Sequence, residues 1–217
     1  MTADDELADA LRAVLARFQT AAADEDRVLQ AKALAREMYD LLDGPPRTRW
    51  FEGELFEGAV RDGREARIER RRFGGRSLYR GTANPLAPPL MTTMVEQADG
   101  TAQIEARVTL GRLYEGPPNG VHGGYVAGMF DDVLGSTQSL IEGPTGLTGT
   151  LHVRYRNITP LDTELVFRAW VHHASGRRIQ SRATCHAAGV LTAEAEALFV
   201  RVDMAELARR VRESESG

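Results

Sequence analysis

The sequence predicts an α+β protein that combines short strands with one long buried helix, preceded by a helical extension. Three observations lead to this fold class. Apolar residues recur at helical spacing over residues 4–42. Alternating segments of strand length then lie on both sides of one continuous apolar segment at residues 123–135. Two strands, a long helix and four further strands in one chain are typical of the α+β class.

The first 46 residues are predicted to form a helical arm. Side chains such as Leu11 and Leu34 follow the period of a helix, and the acidic segment ADED at 23–26 separates two helices. Gly44 and the two prolines after it end the second helix, because glycine suits a helix C-terminus and proline cannot continue the hydrogen-bond ladder. We expect this acidic arm to pack on the main domain.

Residues 47–80 form a predicted connecting segment that is rich in arginine. Its cluster RIERRRF could bind phosphate or nucleic acid, but glutamates are mixed into the same segment, which favours a solvated surface. The whole chain has 27 Lys and Arg against 31 Asp and Glu, a net charge of −4. Proteins built to hold nucleic acid are normally basic, so we expect no nucleic-acid partner.

The main domain is predicted at residues 81–203. Its first two strands flank a turn at Asp99–Gly100, and the four segments after the long helix are mostly separated by Gly, Pro or Asp. Residues 204–217 are expected to form a C-terminal tail with a short helical start and a fraying polar end.

The segment EGPPNGVHGGYVAGMFDDVLG, residues 115–135, carries the candidate site. The prolines exclude regular structure, and a buried helix is expected to begin near Gly123–Gly124. Amides in the first turn of a helix have no intrahelical partner, and glycine leaves them open. A developing negative oxygen could therefore bind there, at the positive end of the helix dipole.

Asp131 lies seven residues after Gly124, within about 20° of the same stripe of the helix, whereas Asp132 is rotated by a further 100° or so. We expect Asp131 to face the site and Asp132 to be structural. The same spacing separates Gly124 from Asp131 by about 10 Å along the axis, too far for one carbonyl to meet both. Two antiparallel helices across a two-fold axis would bring them together, which predicts a site shared across a homodimer.

Four segments together resemble the hotdog-fold acyl-CoA thioesterases, in particular the PaaI-like and THEM-like branch: YEGPPNGVHGGYVAGMFDDVLG, TGTLHVRYRNITPL, GRRIQSRATCHAAG and TAEAEALFVRV. The resemblance covers about residues 81–203 and rests on His-Gly-Gly, an acid nine residues after the histidine, and a threonine-rich entry to the next strand. It implies an antiparallel sheet wrapped around the long helix, and dimers that often pair into tetramers. It also implies hydrolysis of an acyl-CoA substrate with no cofactor other than the coenzyme A of that substrate.

The resemblance assigns roles to individual residues. The amide of Gly124, or of its neighbour Gly123, polarises the thioester carbonyl, and Asp131 acts as the nucleophile or as the base that activates water. Thr148 helps to orient that water. His122 either faces the ligand as a donor or fixes the loop by bonding to the backbone.

One position departs from the related enzymes. They often carry Asn or Gln six residues before the histidine to bond the thioester oxygen, and here that position is Gly116. Asn119, three residues before the histidine, is the candidate substitute for this substrate-binding role. Arg154 and Arg156 are candidate contacts for the phosphates of coenzyme A, with surface ion pairs as the alternative.

Other side chains exclude some classes of protein. The strand histidines, His152, His172, His173 and His186, lack metal-ligand spacing, so no metal is expected. The single cysteine, Cys185, cannot form an intramolecular disulfide, and its strand-like context favours a reduced thiol. We find no signal-peptide pattern and no membrane span, and we expect a cytoplasmic protein.

Two other functions remain open. Another acyl-thioester enzyme on the same scaffold, such as a hydratase, is disfavoured because the Asp-to-His spacing expected of those enzymes is not present. A non-catalytic protein that binds acyl-CoA or lipid and regulates or scaffolds a partner is the alternative from a different class, because a fold does not determine a function.

Overall fold

The computed structural model describes residues 1–47, 75–88 and 90–215 of the 217 residues. The arginine-rich cluster at 67–73 lies outside the described residues, so its interpretation stays a prediction. The helices are α1 (Ala3–Thr20), α2 (Glu25–Leu41), α3 (Gly123–Ser136) and α4 (Met204–Glu215). The strands are β1 (Met91–Glu96), β2 (Ala102–Thr109), β3 (Gly146–Tyr155), β4 (Glu164–Ser175), β5 (Arg178–Ala187) and β6 (Val190–Arg201).

The six strands form one antiparallel sheet in the order β1-β2-β4-β5-β6-β3. The predicted hairpin is confirmed: β1 pairs with β2 around a turn in which Gly100 has a φ of +80°. Glycine adopts this conformation without the steric cost that other residues carry. β3 follows α3 in the chain and pairs with β6 at the edge of the sheet, which completes the predicted order of two strands, a helix and four strands.

Helix α3 packs on the inner face of this sheet, as the hotdog prediction requires. Alanines on four strands leave room for the helix, since Ala106, Ala169, Ala183 and Ala195 are each at most 2 % exposed. Phe130 of α3 meets Phe167 edge to face, with the ring centroids 5.1 Å apart. Each such buried side chain contributes about 1.5–3 kcal/mol. The helix that carries the candidate site is therefore held by the core.

The N-terminal arm contacts the rest of the chain through α1. A capping box between Thr2 and Asp5 begins this helix, and Ala8 is its buried residue. Arg12 donates hydrogen bonds to the carbonyl oxygens of Asn84 at 3.1 Å and Ala87 at 3.0 Å. Helix α2, in contrast, has no buried residue. The division of the chain into arm, connecting segment, domain and tail stays a prediction.

The C-terminal helix α4 extends over twelve residues and is longer than the short helical start that the sequence predicts. Arg209 forms ion pairs with Glu206 and Glu213 along one face of this helix, at the three- and four-residue spacings that stabilise helices. Within the described residues, no helix is both long and apolar enough to cross a membrane.

Candidate active site

Helix α3 begins at Gly123, within the predicted range, and His122 is its N-cap. The His122 Nδ1 atom accepts a hydrogen bond of 3.0 Å from the Gly124 N–H, and the His122 N–H donates to the Tyr114 carbonyl at 2.8 Å. A neutral imidazole that accepts at Nδ1 carries its proton on Nε2. His122 thus fixes the first turn of the helix, one of the two arrangements expected for it, and keeps Nε2–H as a donor.

The open amide at this helix start belongs to Gly123. The Gly124 N–H is already bonded to His122, whereas the Gly123 N–H has no hydrogen-bond acceptor among the described residues. An unpaired first-turn amide carries the positive end of the helix dipole and is available to an anionic oxygen. The Gly123 amide is therefore the one that a ligand can reach, and the choice between Gly123 and Gly124 as the oxyanion donor stays a prediction.

Tyr155 of β3 ties this helix start to the sheet. Its hydroxyl donates a 2.8 Å hydrogen bond to the Gly123 carbonyl. A Cβ atom at Gly123 would lie 3.3 Å from that hydroxyl oxygen, so glycine gives the closest approach without strain. The sequence analysis assigned no role to Tyr155, because the alternation of side chains along a strand carries no information about this bond.

Asp131 is bonded to Thr148, the residue predicted to act beside it. The Thr148 hydroxyl donates to Asp131 Oδ1 at 3.0 Å. Asp131 is only partly buried, so its carboxylate remains open to a ligand. The structure brings these two predicted residues into direct contact, while their roles in a reaction stay predictions.

A β-bulge makes this contact possible. Side chains alternate along a regular strand, so Thr148 and Tyr155, seven residues apart, would point to opposite faces of the sheet. The pairing of β3 with β6 shifts between Thr148 and Thr150, which leaves Gly149 as an extra residue. Thr148 then lies opposite the core residue Phe199, and both site side chains face α3.

Asp132 points to a different part of the chain, as its predicted structural role requires. Arg80 Nε lies 2.5 Å from Asp132 Oδ2, and the Ser77 hydroxyl donates to Oδ1 at 3.4 Å. The side chain is only 14 % exposed. Burial raises the pKa of Asp132, although Arg80 and Ser77 act against that shift. Asp132 therefore anchors loop 75–88 to α3.

The sequence analysis did not single out loop 75–88. Residues 75–80, which carry most of its polar side chains, belong to the predicted arginine-rich segment 47–80. One indication was present in α3 itself. Gly128 is an isolated glycine in the helix interior, and such a glycine often marks the close approach of another group. A Cβ atom at Gly128 would overlap the phenol of Tyr79.

Gly116 has a physical reason to differ from the related enzymes. A Cβ atom at this position would lie 2.6 Å from the Cα and 3.0 Å from the Cβ of His122. No side chain fits there unless His122 moves. Asn119, the candidate substitute, lies in a turn with a φ of +57°, and its N–H donates to the Glu115 carboxylate at 2.9 Å. Its proposed contact with a thioester oxygen stays a prediction.

The two candidate coenzyme A arginines both form ion pairs with Glu194. Arg156 lies 2.5 Å from this carboxylate and Arg154 lies 3.7 Å from it. Their side chains are 49 % and 71 % exposed. The surface ion pair, the alternative that the sequence left open, therefore forms for both, and a contact with phosphate stays a prediction.

Cys185 and the histidines lie apart from this chemistry. Burial raises the pKa of the Cys185 thiol to about 11, so the thiol is protonated at neutral pH and is a poor nucleophile. In the described part of the chain, no group of three or more His, Cys, Asp and Glu side chains could hold a metal ion. The expectation that the reaction needs no metal stays a prediction.

No protein-family model matches the chain. The chain is 32 % identical over 94 residues to acyl-coenzyme A thioesterase THEM4 of Xenopus laevis, and the aligned region covers 42 % of each sequence. It is 26 % identical over 98 residues to acyl-coenzyme A thioesterase THEM5 of Homo sapiens, which covers 44 % of this chain and 39 % of the relative. The chain thus spans about two fifths of the length of these curated relatives.

A solved structure matches nearly the whole chain. The crystal structure of a thioesterase superfamily protein is similar with a TM-score of 0.68 and 28 % sequence identity, and the match covers 92 % of this chain and 95 % of that one. The hotdog fold and the resemblance to the hotdog thioesterases are confirmed by these matches. Membership of the PaaI-like branch stays a prediction.

Proposed function

We infer that this hotdog-fold chain hydrolyses the thioester bond of an acyl-CoA and releases a free carboxylic acid and coenzyme A. The observation that carries the proposal is an open first-turn amide, at Gly123, on the same helix as a carboxylate, Asp131, that is held by a hydroxyl from the sheet. The names of the two curated relatives support an acyl-CoA thioester as the substrate.

In the proposed reaction, Asp131 either attacks the thioester carbonyl carbon or takes a proton from a water molecule that attacks it. The Gly123 N–H stabilises the negative charge that develops on the carbonyl oxygen. The carbon–sulfur bond then breaks, and the thiolate of coenzyme A takes up a proton. If Asp131 is the nucleophile, water hydrolyses the resulting anhydride in a second step. Thr148 bonds Oδ1 and leaves Oδ2 for either task.

The proposed site is shared by two chains. Asp131 lies eight positions after Gly123, which is about 12 Å along the helix axis, so one carbonyl cannot meet both groups of one chain. Within the described residues, β3 pairs only with β6, and its other edge is open beside Thr148. Exposed strand edges pair readily with another chain. A two-fold pairing at this edge would complete two equal sites in a homodimer, and dimers could pair again into tetramers.

The substrate contacts follow from the same arrangement. Arg154 and Arg156 share one carboxylate, Glu194, so a phosphate of coenzyme A could replace it as their partner. Asn119 lies in the turn before the helix and is proposed to contact the substrate. We propose that the protein needs no cofactor beyond the coenzyme A of its substrate and acts in the cytoplasm.

A panel of acyl-CoAs with a dye that traps free thiol tests the function. The wild-type chain is expected to release coenzyme A from at least one of them, and Asp131→Asn is expected to lower kcat by about a hundredfold or more. Asp99→Asn, which changes an exposed carboxylate in the β1–β2 turn, is the matched control and should retain activity. Full activity of Asp131→Asn would exclude Asp131 as the catalytic acid. Binding of acyl-CoA without turnover by the wild type would instead favour the non-catalytic alternative.

A further inference from the structure

Tyr79 reaches the candidate active site from loop 75–88, outside the strands and the helix that form the hotdog core. Its phenol occupies the space that a side chain at Gly128 would fill, since a Cβ atom there would overlap the ring. The ring is partly buried and packs against the hydrophobic core. The Tyr79 phenol therefore fills the space beside α3 that a side chain at position 128 would otherwise occupy.

The position of Gly128 places this phenol beside the turn of α3 that carries Asp131 and Asp132. Residues three and four apart on a helix are neighbours on its surface. Helical side chains also lean toward the N-terminus, so the Asp131 carboxylate leans toward the turn that contains Gly128. The electrostatics agree with this placement: burial, followed by the charges of Tyr125, Asp131 and Asp132, raises the pKa of Tyr79.

The residues on either side of Tyr79 fix the loop to the helix. Ser77 and Arg80 both contact Asp132, the residue after Asp131. The Tyr79 carbonyl accepts a 3.1 Å hydrogen bond from the Leu90 N–H, just before β1. Tyr79 is thus held between an anchor on α3 and an anchor at the start of the sheet.

Helix α1 braces the same loop from outside. The Asn84 side chain donates to the Ser77 carbonyl at 3.3 Å, and Arg12 donates to the Asn84 carbonyl. Thr82 donates to the Asp5 carboxylate at 2.7 Å. The loop that carries Tyr79 is therefore connected both to the N-terminal arm and to α3.

We propose that Tyr79 is a specificity-determining residue that limits the bulk of the acyl group next to the thioester carbonyl. The inference rests on the proposed thioesterase function. Because Asp131 must reach the carbonyl carbon or its attacking water, the first carbons of the acyl group lie close to the Asp131 carboxylate. The partly buried aromatic rings of Tyr79 and Tyr125 suit an apolar acyl group better than the charged coenzyme A. Small and unbranched acyl groups are thus the favoured class.

The test compares kcat/KM for acetyl-CoA, butyryl-CoA, isobutyryl-CoA and benzoyl-CoA. Tyr79→Leu is expected to raise the benzoyl-to-acetyl ratio by about tenfold or more, in the range that added space in an apolar pocket produces. Tyr79→Phe keeps the ring and should leave the ratio nearly unchanged. Tyr39→Leu, at an 80 % exposed position on α2, is the matched control. A benzoyl-to-acetyl ratio of kcat/KM in Tyr79→Leu that equals the ratio of the wild type would overturn the inference.

Gly128→Ala provides a second variant if Tyr79→Leu does not fold. Its methyl group must displace the phenol, so the ratio should change in the same direction. If the wild type is active and neither variant changes the ratio, the inference is wrong while the proposed function stands. If the wild type turns over no acyl-CoA, the proposed function is wrong, and the ratio of Kd values for benzoyl-CoA and acetyl-CoA then decides the role of Tyr79. Equal Kd ratios in the wild type and Tyr79→Leu would overturn the proposed role of Tyr79.

Discussion

Thr148, on the edge strand of the sheet, donates a 3.0 Å hydrogen bond to the Oδ1 atom of Asp131 on the central helix. A bulge at Gly149 turns the threonine toward the helix, so the contact depends on the local irregularity of β3. The bond restricts the carboxylate to one orientation and leaves Oδ2 open. This arrangement suits a group that must attack a substrate or activate water.

Thr148→Ala should lower kcat by about tenfold or more, because a hydrogen bond to a charged group contributes about 1.5–3 kcal/mol. Thr148→Ser keeps the hydroxyl and is expected to retain most of the activity. Steady-state kinetics with one acyl-CoA on both variants check this. Equal losses in the two variants would show that packing, and not the hydroxyl, is what matters at this position.

Gly123→Pro removes the open amide and is expected to preserve the helix. Proline is favoured at the first position of a helix, and the ψ of 129° at His122 lies outside the helical range, in the range compatible with a following proline. Loss of one oxyanion donor should lower kcat by about a hundredfold to a thousandfold.

Gly123→Ala is the matched control for this amide, because it keeps the N–H and adds only a Cβ atom 3.3 Å from the Tyr155 hydroxyl oxygen. We expect it to be clearly more active than Gly123→Pro. Far-UV circular dichroism checks that both variants keep the helix. If the two variants lose the same activity, the Gly123 N–H is not the oxyanion donor.

Asp132→Asn should change how stability depends on pH. Burial raises the pKa of Asp132 above its ordinary value of 3.8, so the folded protein keeps this proton over a range in which the unfolded chain has lost it. In that range, which begins near 3.8 and extends upward, the contribution of Asp132 to the free energy of unfolding falls as the pH rises. Urea unfolding at several pH values should therefore show a stability difference, variant minus wild type, that increases with pH.

Asp99→Asn is the control, because the pKa of Asp99 is shifted in the opposite direction to that of Asp132. Hydrogen bonds from Thr101 lower the pKa of Asp99, so this group stabilises the fold above the ordinary value of 3.8, and the contribution is lost as the pH falls through the lowered value. Its variant should be less stable than the wild type at neutral pH and equal to it in acid. A difference for Asp132→Asn that falls as the pH rises would contradict burial as the main influence on that carboxyl.

The start of α3 and the succession of two strands, a helix and four strands along the chain could be predicted, because each element carries its own local pattern. The periodic apolar residues of α3 and the turn at Asp99–Gly100 needed no knowledge of distant contacts. The choice between Gly123 and Gly124 could not be made in this way. It depends on the rotamer of His122, whose Nδ1 atom engages the second amide and leaves the first one open.

The sheet face on which the Thr148 side chain lies could not be predicted from a local pattern either. Strand alternation places it on the face opposite Tyr155, and only the extra residue at Gly149 brings both to the helix. The contact of Tyr79 with Gly128 joins residues 49 positions apart. A periodic pattern carries no information about such a contact, although a glycine inside a buried helix indicates that some group approaches there.

Mixing two inactive variants tests most directly whether two chains build one site. Asp131→Asn and Gly123→Pro are unfolded together in urea and refolded, so that half of the dimers contain one chain of each kind. In a mixed dimer, Gly123 of one chain and Asp131 of the other would form one intact site, and the mixture should recover about a quarter of the wild-type activity. Activity no greater than that of the two variants refolded separately would contradict a site shared across the dimer.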